Sequence, residues 1–293
     1  MNAKVEFVAR HPDVLVTLPH MKLASTSRSN ISSSADYKAE LSDTCFACIL
    51  WGTKYPREYV TRLARAVERN LTVAIPFFCI SDQASHAGVS GANTGLGPGE
   101  ARSNGLSLTI PRIDFVSPPN ELPGWWQKVN LFDRDLLGKR YVIYCDLDVV
   151  VLKSLSFLER YLGRADLTHA QDLLDPMSSS FMIIDTESRL AEAVLRDFDY
   201  DEFSETDAND QAYFSRFVTS GKYHTRGLLP QEHYSYKYLI NHDRWHSRNV
   251  NPIYRVHGFD EIHTLNFHGV PNPHDLEAQP NRWPFAAEVL THW

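Results

Sequence analysis

The chain has 293 residues, 43% of them hydrophobic and 22% charged, with a formal net charge of -7. That composition suits a globular protein with one sizeable core, and the acidic balance excludes nucleic-acid binding through a general basic surface, which needs clustered Lys and Arg. No run approaches the roughly 20 apolar residues of a membrane span, and the start lacks a basic-then-apolar leader, so a cytoplasmic protein with no transmembrane segment is expected.

Residues 1–43 read as an N-terminal extension, partly low-complexity: a weak strand pattern at Val5–Val8 precedes the polar run Ser25–Ala35. From residue 44 to 293 the pattern is that of one α/β domain. Phe46–Trp51 is an apolar strand ending at Gly52, after which Tyr59, Leu63, Ala64 and Val67 recur at helical spacing. Leu71–Ile80 predicts a second strand, and Ser81-Asp82 closes it where an open parallel sheet keeps its ligand loops. Gly88–Gly105 has neither a Gly-Lys-Ser/Thr ending nor dinucleotide spacing, and predicts a surface loop.

Ile113–Val116 predicts a third strand. After Pro118, Pro119 and Pro123, the residues Trp125, Val129, Phe132 and Leu136 share one face of a predicted helix. Tyr141–Tyr144 is the most apolar strand, with Asp146-Leu147-Asp148 at its carboxyl end. Phe181–Ile184 predicts another strand, and Leu190–Phe198 and Gln211–Val218 predict helices. The last quarter is irregular in pattern and holds nine of the thirteen histidines. Cys45, Cys48, Cys79 and Cys145 sit in or beside apolar strand-like runs, which predicts buried free thiols. Cys45 and Cys48 have redox or half-zinc spacing, with no second pair to complete it.

Two carboxylates one residue apart at a strand end can both turn to a hard divalent cation if the backbone leaves strict alternation there, since oxygen ligands suit Mg²⁺ or Mn²⁺. A cation held that way can clamp a diphosphate leaving group in sugar transfer, neutralising the charge that grows on it. The same strand and motif also fit a haloacid-dehalogenase-type phosphohydrolase, with Asp146 as nucleophile. Against it, Val149-Val150-Val151 follows the motif where that class has a hydroxyl residue, and about a hundred residues of α/β pattern precede it. A third reading is a non-enzymatic sugar-nucleotide or glycan-binding protein.

Several segments together resemble the GT-A glycosyltransferases, particularly the retaining glycogenin and lipopolysaccharide-galactosyltransferase group with its bacterial and viral relatives. They are Trp51-Gly52-Thr53-Lys54-Tyr55, Trp126-Gln127-Lys128-Val129, Asp146-Leu147-Asp148, Ser178-Ser179-Ser180-Phe181-Met182, Asp210-Gln211, Ser235-Tyr236-Lys237 and Phe267-His268-Gly269, in that order over residues 45 to 276. The resemblance implies an α/β fold of GT-A type: a single catalytic domain over 44–293 with a Rossmann-like, mostly parallel central sheet flanked by helices.

It further implies a hexosyl- or pentosyltransferase that moves sugar from a UDP-sugar to a glycan or other hydroxyl acceptor, with retention. Trp51, Gly52 and Thr53 would meet the nucleotide base and ribose, with Asp82 also facing the base. Lys128 would reach the phosphates, and Ser179 would line the sugar pocket. Asp146 would be shared between ribose and metal, and Asp148 and His268 would complete a Mn²⁺ (or Mg²⁺) site. Asp210 and Gln211 would stand near the anomeric carbon as catalytic residues. Relatives place a lysine shortly after the His-Gly pair; here Asn272 takes that place, leaving Lys237 or His274 beside Gly269 for the phosphate. His242 and His246 have zinc-protease spacing, but Asp243 stands where the glutamate base would be.

Overall fold

The computed structural model describes residues 40–83, 111–120, 122–173, 175–205, 209–241 and 258–293. The strand expected at Val5–Val8, the polar run Ser25–Ala35, the Gly88–Gly105 loop and the His242–His246 pair lie outside those residues.

The strands are β1 (Thr44–Leu50), β2 (Phe77–Ser81), β3 (Ile113–Val116), β4 (Tyr141–Cys145), β5 (Val149–Val151), β6 (Leu167–Ala170), β7 (Ser178–Asp185), β8 (Thr225–Gly227), β9 (Tyr234–Ser235) and β10 (Thr264–Asn266). Seven form one sheet in the order β3-β2-β1-β4-β7-β6-β8. It is mostly parallel, with β7 alone running against its neighbours β4 and β6.

Near-continuous apolar runs make this sheet because both of its faces are covered. Along β1, Phe46, Cys48 and Leu50 enter one apolar cluster while Cys45 and Ala47 enter another. Along β4, Tyr141, Ile143 and Cys145 alternate in the same way with Val142 and Tyr144. The helix Glu58–Asn70 covers the first face with Tyr59, Val60, Leu63, Ala64 and Val67. The helices Arg189–Arg196 and Asp210–Thr219 cover the second. The same alternation settles the Cys45–Cys48 spacing: the two thiols lie on opposite faces, both free and buried. Burial pushes Cys45 up to about 12.

Three expectations change. The second strand covers Phe77–Ser81 rather than Leu71–Ile80. Leu71 still caps the preceding helix through its N–H to Val67 O at 3.0 Å, and Val73 is exposed, so this stretch is connection. The segment from Gly124 to Phe132 is a 3-10 helix, which has about 3.0 residues per turn. Its inner face therefore runs through Trp126, Val129 and Phe132, all buried, and Trp125 is left 56% exposed. The last quarter also supplies β9 and β10, which join β5 from mid-chain in a second sheet, ordered β5-β10-β9, over its own apolar cluster of Val150, Tyr234, Leu265 and Phe267. Its strands have three, three and two residues, too few to show alternation in sequence.

Candidate active site

At the end of β4 the chain leaves strand geometry. Asp146-Leu147-Asp148 forms a turn in which Val149 N–H donates back to Asp146 O at 3.2 Å, and β5 begins at Val149. Both carboxylates consequently line one cleft of about 630 Å³, within the range of small-molecule sites. Asp146 is tied to β7 through its own N–H to Ser180 O at 2.9 Å. Its Oδ1 accepts the Tyr144 hydroxyl at 2.5 Å and the Lys128 ammonium at 3.0 Å.

Asp148 is buried, and Tyr55 donates to its Oδ2 at 2.6 Å. Burial first, then the charge of Asp146, pushes the Asp148 carboxyl up to about 7, while the Tyr55 hydrogen bond and the charges of Lys54 and Lys128 pull the other way.

Lys128 is no solvent-facing helix lysine: it is 5% exposed. Its ammonium contacts Asp146 Oδ1 at 3.0 Å, Asp210 Oδ2 at 2.8 Å and Ser179 Oγ at 3.1 Å. Burial pulls its pKa down, but the charges of Asp146 and Asp210 outweigh that and hold it above the usual lysine value. Asp210 opens the helix Asp210–Thr219 behind the Asn209 cap, whose side chain accepts from Ala212 N–H at 2.8 Å. Besides its place at the helix start, its carboxylate turns inward and accepts the Ser179 hydroxyl at 2.6 Å. Gln211 lines the cleft and donates to Asp175 Oδ2 at 2.8 Å.

The three serines all line the cleft although they are consecutive. The β6–β7 register shifts between His169 and Ala170, opposite this stretch, and that irregularity relaxes strict alternation. Behind the serines runs a directed chain of hydrogen bonds. Thr264 donates to Glu232 O, so it can only accept from His233 Nδ1. His233 Nε2 then accepts from Ser180, which in turn accepts from Ser178 at 2.8 Å. Burial, with a smaller part from His268, lowers the His233 pKa to about 3.

His268 lines the same cleft, with Nε2 2.6 Å from Ser235 Oγ and its ring edge against Tyr238. Trp51 and Lys237 line it too. Gly52, Thr53, Asp82 and Gly269 do not. Gly52 N–H donates to Asp82 Oδ2 at 3.0 Å, joining the ends of β1 and β2 beside the cleft, and Gly269 follows His268 at φ +83°. Asn272 accepts from Tyr55 at 3.4 Å, and His274 is held by the Tyr59 hydroxyl away from the cleft lining. Among the described residues, no three His, Cys, Asp or Glu side chains are gathered as a ready metal cage. The donor chemistry nevertheless suits a hard cation: each of Asp146 and Asp148 uses one oxygen on protein partners, and five aspartates face three lysines around the cleft.

Sequence reasoning missed roles for Tyr55, Tyr144, Asp172, Asp175 and Asn266, all of which line the cleft. Tyr144 carried a signal, since strand alternation aims it with Asp146. The others come from loops and short strands with no periodicity.

No family model and no curated protein matches the chain. Among solved structures, it is similar to the glycosyltransferase GlyE of Streptococcus pneumoniae TIGR4, at 11% identity and a TM-score of 0.53 over 78% of this chain and 55% of that one. The chain thus spans about 55% of the GlyE chain. It is similar as well to the galactosyltransferase LgtC in complex with donor and acceptor sugar analogs, at 15% identity and a TM-score of 0.51 over 85% of this chain and 96% of that one. The protein therefore has the α/β fold of the GT-A glycosyltransferases.

Proposed function

We propose that the protein is a divalent-cation-dependent glycosyltransferase that moves a hexosyl or pentosyl group from a UDP-sugar to a glycan or other hydroxyl acceptor, with retention. The observation that carries this reading is the buried ion-pair bridge from Asp146 through Lys128 to Asp210. It ties a carboxylate suited to a cation directly to a carboxylate suited to the sugar, inside a cleft of nucleotide-sugar size.

Asp146 and Asp148 would hold Mn²⁺ or Mg²⁺, which when bound supplies positive charge against the leaving diphosphate. An acid-rich cleft repels a diphosphate unless a cation intervenes. Lys128 spends its three hydrogens on Asp146, Asp210 and Ser179, so its task here is to orient both acids, with the phosphate contact left to Lys237. Asp210 and Gln211 would face the anomeric carbon, where a carboxylate stabilises a cationic sugar. The departing phosphate can then take the acceptor proton, and no separate strong base is required. Trp51 would stack on the base, with Gly52, Thr53 and Asp82 shaping the rim beside it.

A panel of nucleotide sugars with Mn²⁺ or Mg²⁺ tests this, read by thermal shift and nucleotide release. Expected are stabilisation by a UDP-sugar only when cation is present, and loss of turnover in Asp148→Ala with the fold retained. Release of inorganic phosphate from phosphomonoesters would instead indicate the phosphohydrolase, and cation-dependent binding with no turnover would indicate a binding protein.

A further inference from the structure

Ser178, Ser179 and Ser180 line the cleft, and each is nine-tenths or more buried. The direction of the hydrogen bonds behind them is fixed from one end. The Glu232 carbonyl can only accept, so the Thr264 hydroxyl donates to it at 2.6 Å and must accept from His233 Nδ1 at 2.9 Å. The partners of the His233 ring among the described residues are two hydroxyls and no carboxylate, and burial holds it neutral, so its Nε2 is an acceptor. Ser180 therefore donates to Nε2 at 2.8 Å, and Ser178 donates to Ser180 Oγ at 2.8 Å. Ser179 donates to Asp210 Oδ2 at 2.6 Å.

All three hydroxyl protons thus point into the protein. A hydroxyl oxygen can accept twice, and each of these accepts once from the chain: Ser178 from the Ser180 N–H at 3.3 Å, Ser179 from Lys128 at 3.1 Å, and Ser180 from Ser178. What each has left is one lone pair. The serines also stand between the acids of the site, since Asp146 N–H donates to Ser180 O at 2.9 Å while Ser179 shares Asp210 and Lys128. A nucleotide sugar with its phosphates toward Asp146 and Asp148 and its anomeric carbon toward Asp210 lays its sugar ring against them.

We propose that His233 is a positioning residue that makes this serine surface accept hydrogen bonds and donate none, so that the donor sugar is selected for a group with a proton to give, a hydroxyl or an amide N–H. A fluorine, an ether oxygen or a carboxylate in that place meets only lone pairs. A site built to hydrogen-bond a substrate group rejects the analogue that cannot make the bond, because the buried polar atoms of the site are then left unpaired. This inference rests on the reading of the cleft as a sugar-nucleotide site.

Two measurements on the full chain test it, the first without ligand. In the nitrogen-15 spectrum of labelled histidine at about pH 7, with His233 identified by the resonances that shift in Ser180→Ala, the imidazole proton is expected on Nδ1 alone. A proton on Nε2, or on both nitrogens, overturns the proposal. For the second, UDP-glucose, UDP-galactose and UDP-xylose are compared with Mn²⁺ present, and the tightest binder is remade with each sugar hydroxyl replaced in turn by hydrogen or fluorine. At one position both replacements are expected to weaken binding about tenfold or more, and equally to within about twofold. Ser180→Ala removes the acceptor of the Ser178 proton and frees that proton for the cleft, and His233→Phe does the same through Ser180. In either variant the fluoro analogue is expected to bind about threefold or more tighter than the deoxy analogue, a preference that loosened packing alone does not create. A fluoro preference already present in the unaltered chain, or an unchanged ratio in the variants, overturns the proposal. Should His233→Phe fail to fold, Ser180→Ala carries this arm. Failure of every UDP-sugar to bind overturns the sugar-nucleotide reading and the sugar selection with it, whereas UDP-sugar binding with the proton on Nε2 overturns the role of His233 alone.

Discussion

Tyr55 donates its hydroxyl to Asp148 Oδ2 at 2.6 Å, joining the loop after β1 to the acid after β4. The bond favours the carboxylate, against the burial and Asp146 charge that raise the Asp148 pKa to about 7. The cation-free fold therefore keeps a proton there that the unfolded chain releases near about 3.9, so this group's contribution to stability falls as pH rises between those values. A cation requires the ionised form. Stabilisation by Mn²⁺ should accordingly grow from about pH 5.5 to about pH 8 in a thermal-shift series. Tyr55→Phe removes the favourable hydrogen bond and should move the onset to higher pH. A Mn²⁺ effect independent of pH contradicts both.

The Lys128 ion pairs predict an asymmetry between partners. Lys128→Met strands two carboxylates around a buried gap and should cost about 3–5 kcal/mol, read by urea denaturation. Asp210→Asn keeps the shape and a hydrogen-bond acceptor for Ser179, so its stability loss should be smaller, while donor turnover falls by about a hundredfold. Equal losses of stability would show that the network is not organised around the lysine.

The neighbouring tryptophans should behave oppositely. Trp126 packs against Phe198, Phe203 and Tyr213, and Trp126→Ala should cost about 3–5 kcal/mol. Trp125 is exposed at the cleft, and Trp125→Ala should change stability by less than about 0.5 kcal/mol. Its effect should fall on acceptor KM, because an exposed indole at a cleft edge offers a face for a sugar ring.

His233 gives an acid-side prediction. With its folded pKa at about 3 and the usual value near 6.5, the unfolded chain binds a proton in that interval and the folded chain does not. Its contribution is complete above about pH 6.5 and is lost as pH falls toward about 3. A variant such as His233→Asn should show a flatter dependence of Tm on pH over that window. An unchanged slope would mean that other groups govern acid unfolding.

The existence of β1 and β4 was legible because a sheet covered on both faces demands nearly continuous apolar runs such as Cys45–Leu50 and Tyr141–Cys145, whereas their pairing register is set by backbone contacts that no local pattern reports. The Glu58–Asn70 helix was legible for a related reason, since one apolar stripe must meet one sheet face. The second sheet was not, since three residues pair by backbone and leave no period to read. The 3-10 helix was misread because the hydrophobic positions were counted at 3.6 residues per turn, and that choice exchanged Trp125 for Trp126.

The sequence by itself determined the α/β class, the acids Asp146 and Asp148 at a strand end, and the order of segments that resembles the GT-A glycosyltransferases. Only the tertiary structure decided what those acids touch. Lys128, Tyr55 and, through Lys128, Asp210 come from a 3-10 helix, a loop and a helix start, brought to one cleft by sheet topology. Local pattern reports burial along one element, whereas pairing between charges depends on distances that long-range packing alone sets.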